Sequence, residues 1–159
     1  ELLCSSGKTV MITNFQEYYK LSDYFSNYTT KKTVMTMGVD NLIKVFEDKY
    51  YSNLSGGILE AFGKLFKHNV EIYLYPLIKG EKLIDSSNLQ VEDNMKNLYK
   101  YFKDNQKIRD IKDFNKSLLN IYSWEVLEEI KNNSPGWEQK LPEAISKLIK
   151  EKKLFGYSN

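Results

Sequence analysis

Apolar runs typical of β-strands alternate along the chain with stretches whose apolar residues have the spacing of an α-helix. This order is the sequence feature that most constrains the fold. The strand-type runs are Thr9–Thr13, Thr33–Met37 and Val70–Tyr75. Helical stretches rather than two-residue turns separate them, so the sequence predicts mutually parallel strands in the order β-α-β-α-β. We therefore expect an α/β fold, in which a parallel, Rossmann-like sheet segment is followed by an α-helical C-terminal portion.

Local signals predict where the first three helices begin. Asn14 and Glu17 have the spacing of a capping box, which places the first helix start at Asn14. Gly38-Val39-Asp40 predicts a tight turn with Asp40 as the N-cap of the second helix. Ser55-Gly56-Gly57 predicts the start of the third.

The pattern predicts one compact domain in three parts. Residues 1–77 form the α/β sheet segment, 78–93 a mobile polar loop, and 94–159 a helical portion packed on the sheet. Helices are expected near 92–104, over 124–130 and after Pro142. Because the chain begins with Glu rather than Met, we expect it to be excised from a longer polypeptide.

Composition narrows the class of protein. The net charge is +2, and Arg109 is the only arginine among 23 Lys and Arg residues, which disfavours a nucleic-acid surface. The longest apolar runs are far too short to cross a membrane. The single cysteine, Cys4, excludes an internal disulfide and a Cys-rich metal site. A Ser-His-Asp triad or a His-containing metal site would have to use the single histidine, His68. We expect a cytoplasmic protein with neither a membrane nor a nucleic-acid partner.

The sharpest candidate for a ligand site is the glycine pair before the third helix. Successive backbone N–H groups at Ser55, Gly56 and Gly57 could face a phosphate or carboxylate, helped by the helix dipole. The alternative is a flexible joint between two helical pieces, because two glycines alone specify little.

The turns after the first two predicted strands are further candidates, because parallel sheets bind ligands at the carboxyl ends of their strands. Helix capping explains Asn14 and Asp40 without a ligand. Tyr50 and Tyr51 fall between helices and could border a pocket. The candidate ligand-binding residues are Asn14, Gly38, Asp40, Tyr50, Tyr51, Ser55, Gly56 and Gly57.

Several longer runs carry a family resemblance. They are Gly38–Tyr51, Gly56–Phe66, Asn69–Pro76, Trp137-Glu138 and Leu154–Tyr157. Together they resemble the C-terminal part of large bacterial proteins named as nicotinate or nicotinamide mononucleotide adenylyltransferase-like. The resemblance implies a link to nucleotides. The H/T-x-G-H element and the Ser/Thr-rich, Arg-containing motif with which such enzymes hold phosphates are absent here, so no catalytic residue carries over.

Two functions follow as expectations. The first is a nucleotide- or phosphate-ligand-binding domain of a larger, nucleotidyltransferase-like protein, with the remainder of that protein as a partner. The second is a non-catalytic protein-interaction or oligomerisation domain. The residues identify no cofactor and no metal site, and they leave open whether the chain is an enzyme.

Overall fold

The computed structural model describes residues 2–5 and 7–158. Its helices are α1 (Leu2–Ser5), α2 (Tyr18–Ser26), α3 (Val39–Val45), α4 (Gly57–Leu65), α5 (Lys96–Asp104), α6 (Ser123–Lys131) and α7 (Glu143–Lys152). Its strands are β1 (Thr33–Gly38), β2 (Val70–Tyr75), β3 (Leu77–Lys79), β4 (Lys82–Ile84) and β5 (Ile108–Asp110). Short 3₁₀ helices lie at Asp48–Tyr51, Asp93–Met95, Lys116–Leu118, Trp137–Lys140 and Leu154–Gly156.

The chain divides into two compact units. One consists of residues 14–114, and the other of residues 1–13 together with 115–159. Each unit has its own apolar core, and the two cores share no residue. The predicted organisation as one compact domain, with parts 1–77, 78–93 and 94–159, stays a prediction.

A three-stranded parallel sheet organises the unit formed by residues 14–114. Its order is β1-β2-β5, with Gly38 opposite Tyr75 and Leu74 opposite Asp110. The predicted parallel pairing of the second and third runs is confirmed. The predicted strand at 9–13 is wrong, because that segment belongs to no helix or strand and is exposed throughout. The third strand of the sheet is β5, Ile108–Asp110, a short run that was not predicted to be a strand.

Helices cover one face of this sheet. Met35, Met37, Ile72 and Leu74 are buried, and the register places each methionine beside one of the two β2 side chains. Val34 is 41% exposed on the other face. Strand β2 is central in the sheet, and β1 lies at an edge.

An aromatic cluster joins the helices above the sheet. The ring of Phe46, just after α3, lies 4.8 Å from Phe62 of α4 and 5.3 Å from Tyr99 of α5. Phe62 also stacks on Phe102, with the ring centres 4.8 Å apart. These rings belong to one buried apolar cluster.

Much of the segment predicted as a mobile loop, 78–93, forms backbone or side-chain hydrogen bonds. Strands β3 and β4 form an antiparallel hairpin within residues 77–84. Beyond it, buried Ser86 donates its N–H and its hydroxyl to the carboxylate of Asp110, at 2.9 and 2.6 Å. The Tyr99 hydroxyl donates to the Ser86 carbonyl at 2.7 Å. Turn-type composition therefore marks a hairpin and an anchored turn rather than a free loop.

Two predicted helix starts are shifted. Helix α2 begins at Tyr18 rather than at Asn14, and its N-cap residue Glu17 pairs with Lys20 instead of closing a capping box. Helix α3 begins at Val39, with Gly38 as N-cap. Asp40 thus lies in the first turn, where its charge favours the helix through the dipole.

The second unit is built around Trp137, which is 2% exposed. Val126 and Ile130 of α6 and Ile149 of α7 complete its buried core. The predicted C-terminal helices are confirmed within a residue or two of their expected bounds. Among the described residues, no helix has the length and apolar character needed to cross a membrane.

Candidate functional site

A cleft of about 500 Å³ lies in the unit formed by residues 14–114. Its wall comes from the start of α2, from α3 and from the 3₁₀ turn that follows α3. The lining residues are Gln16, Glu17, Tyr18, Asn41, Lys44, Val45, Lys49, Tyr50, Tyr51, Ser52 and Asn53. We call this the α2–α3 cleft.

Two lysines bring positive charge to the α2–α3 cleft. Lys49 pairs with Glu47, and this hydrogen bond, as the largest cause, raises the pKa of Lys49 above its ordinary value. Lys44, in the last turn of α3, forms no ion pair with any residue that the structure describes. Glu17 brings a carboxylate whose pKa is lowered, mainly by its hydrogen bond from Lys20.

The two cleft tyrosines have different roles. Tyr51 is 7% exposed, and its hydroxyl donates to the Val45 carbonyl at 2.8 Å. Burial, and secondarily the charge of Glu17, raises the pKa of Tyr51 to about 12. Tyr50 is 46% exposed, with the Lys49 ammonium 5.0 Å from its ring centre. Tyr51 therefore shapes the wall, whereas Tyr50 presents an open aromatic face beside a cation.

The glycine pair is occupied by a carboxylate of the chain itself. The Gly56 N–H donates to Glu60 Oε2 at 2.9 Å, and the Ser55 hydroxyl donates to the same oxygen at 3.3 Å. Lys64 holds the other oxygen of Glu60 at 2.7 Å. Gly57, the first residue of α4, has φ +54°, a left-handed conformation that favours glycine. The start of α4 thus receives a negative charge from within its own helix.

The carboxyl ends of the sheet strands meet at one edge, as the parallel order requires. Gly38 lies there beside Tyr75, and a side chain at Gly38 would meet open space. Asp110, at the end of β5, already accepts two hydrogen bonds from Ser86. Asp40 is exposed in α3, and Asn14 is exposed outside any strand. Asn14 was expected at this edge because of a strand that is not formed.

Of the eight candidate residues, the α2–α3 cleft brings together only Tyr50 and Tyr51. Ser55, Gly56 and Gly57 follow shortly in the chain but are not among its lining residues. Ligand binding at the eight candidates stays a prediction.

The cleft lysines and Asn41 were not predicted from the sequence. Asn41 and Lys44 are exposed residues of α3, and Lys49 is an exposed residue of the following 3₁₀ turn. Polar residues that face only water give the same pattern.

Elsewhere, the described residues contain no group of three or more His, Cys, Asp and Glu side chains that could hold a metal ion. Cys4 is a free, exposed thiol in α1.

Comparison with protein-family models, with curated proteins and with solved structures finds no match for this chain.

Proposed function

We propose that the unit formed by residues 14–114 binds a small phosphate-bearing ligand of the nucleotide type in the α2–α3 cleft. The observation that carries the proposal is the exposed ring of Tyr50, with the Lys49 ammonium 5.0 Å from its centre, in a cleft of about 500 Å³ that Lys44 also lines. Clefts of this size are typical of small-molecule sites.

The chemistry of the lining suits both halves of such a ligand. Lys44 and Lys49 can hold phosphate oxygens as point charges. The Tyr50 face can stack on a base, an interaction worth about 1–3 kcal/mol. The side-chain amides of Asn41 and Asn53 supply both donors and acceptors for ring or ribose groups.

The resemblance to the C-terminal part of adenylyltransferase-like bacterial proteins supports a nucleotide rather than another anion. A Rossmann-like relationship of the β1-β2-β5 sheet is part of the same proposal. On this view the chain is a binding domain of a larger protein whose reacting groups lie outside it.

Isothermal titration of the chain with AMP, ATP and inorganic phosphate tests the proposal. We expect AMP and ATP to bind, and Lys44→Ala to weaken ATP binding roughly tenfold, since hydrogen bonds to charged groups contribute about 1.5–3 kcal/mol. Tyr50→Ala should weaken the binding of both nucleotides and leave the binding of inorganic phosphate unchanged.

Matched controls lie in the same unit, outside the cleft. Lys31→Ala and Tyr101→Ala remove an exposed lysine and an exposed tyrosine, and they should leave the affinities unchanged. Failure of both nucleotides to bind would contradict the proposal and would favour the interaction-domain alternative.

A further inference from the structure

Strand β1 presents a free edge. It pairs with β2 on one side, and no other strand in the described part of the chain pairs with it. At six residues it is as long as β2, whereas the opposite edge strand β5 has three. A strand edge of this length carries a row of backbone N–H and C=O groups that can accept a further strand.

The segment Thr9–Thr13 has the composition of a strand without being one. Four of its five residues are β-branched, and Met11 is the exception. Val10 and Met11 are 44% and 45% exposed, and Ile12 is 95% exposed. Three consecutive apolar side chains in water are unfavourable, and burial of each would stabilise whatever buries it.

We propose that Thr9–Thr13 of a second copy of this chain adds to the free edge of β1. The segment and the edge match in length, with five residues against six. They also match in composition, since Thr9-Val10-Met11 repeats the order of Thr33-Val34-Met35. Main-chain hydrogen bonds hold such an added strand, and its alternating side chains enter the two faces of the sheet.

We assign the added strand to a second copy because every copy of the chain carries both the segment and the edge. Among the described residues, 9–13 forms no strand and β1 pairs with β2 alone. Reciprocal exchange between two copies would pair both edges in one closed, two-fold dimer. This inference is independent of the ligand proposed for the α2–α3 cleft.

Sedimentation velocity of the full chain over a range of concentrations tests this proposal. We expect a concentration-dependent species of twice the mass of one chain. Met11→Pro should abolish that species, because proline lacks the N–H and blocks strand pairing. Met11→Thr is the matched control: it keeps strand propensity and should retain the dimer.

Hydrogen exchange locates the interface. In the dimer, amides within Thr33–Gly38 should gain protection that Met11→Pro loses, while circular dichroism of the two proteins stays the same. A chain that remains monomeric at every concentration overturns the proposal. So does a dimer that Met11→Pro leaves intact, or one that forms without added protection in β1.

Discussion

At the scale of single residues, Glu60 decides how the start of α4 is satisfied. Its carboxylate accepts from the Gly56 N–H and the Ser55 hydroxyl, and it is held in turn by Lys64. The sequence suggested an external anion at this helix start. In the structure an internal carboxylate lies there, supplied by Glu60 from the first turn of α4.

Replacing Glu60 should reveal this role through its pH dependence. The hydrogen bond from Lys64, followed by that from Gly56, lowers the pKa of Glu60 below its ordinary value of 4.5. A lowered folded-state pKa contributes stability above pH 4.5, and the contribution is lost as the pH falls through the folded-state value. We expect Glu60→Gln to lower the urea midpoint at pH 7 and to match the wild type at the acid end.

The control for that series is Glu81→Gln, in the exposed turn between β3 and β4. It should leave the urea midpoint unchanged at pH 7. An equal loss in both variants, or a loss in Glu60→Gln that persists at low pH, would rule out the carboxylate as the stabilising group.

A second prediction at this scale concerns Tyr99, which is 8% exposed and donates to the Ser86 carbonyl. Tyr99→Phe removes the hydroxyl donor and leaves the buried Ser86 carbonyl without this hydrogen bond. We expect a loss of about 1–3 kcal/mol in the free energy of unfolding, measured by urea titration. Tyr101→Phe, at an exposed position of the same helix, should change this free energy by much less.

At the scale of elements, Asp110 attaches the segment after the β3–β4 hairpin to the end of β5. Asp110→Asn leaves one acceptor oxygen for the two donors of Ser86. We expect it to destabilise the chain by about 1–3 kcal/mol and to speed hydrogen exchange at the Ser86 amide. Asp113→Asn, exposed three residues later, is the control, and equal effects of the two variants would contradict the attachment.

Limited proteolysis compares the accessibility of the two segments whose structure differs from the sequence prediction. Residues 8–16 are exposed and outside any helix or strand, whereas 77–91 contains a hairpin and the buried residues Ser86, Leu89 and Val91. We expect a non-specific protease to cut first within 8–16, as mass spectrometry of the fragments would show. First cleavage within 78–93 would instead favour the mobile loop predicted from composition.

At the scale of the whole molecule, two cores predict two unfolding transitions. Both tryptophans, Trp124 and Trp137, lie in the unit that contains 115–159, so their fluorescence reports on that unit alone. Far-ultraviolet circular dichroism reports on both units. We expect the fluorescence and dichroism midpoints in urea to differ, because separate cores need not unfold together. Coincident transitions would show that the units unfold as one.

The sequence by itself determined the strands at 33–37 and 70–75, their parallel relation, and the helices near 92–104, over 124–130 and after Pro142. These elements can be predicted from local periodicity, because the spacing of apolar residues within an amphipathic helix or a buried parallel strand shows which of its faces is buried. The capping signals predicted helix starts less well, since a nearby lysine can compete for the capping carboxylate. Glu17 pairs with Lys20 and does not close the expected capping box.

Only the tertiary structure decided which runs fill the sheet, how the chain divides and where a cleft forms. Thr9–Thr13 has better strand composition than Ile108–Asp110, yet only the latter pairs with β2. The α2–α3 cleft likewise joins side chains from three elements. Strand pairing and cleft formation depend on contacts between residues far apart in the chain, and local composition does not encode which distant partner a segment meets.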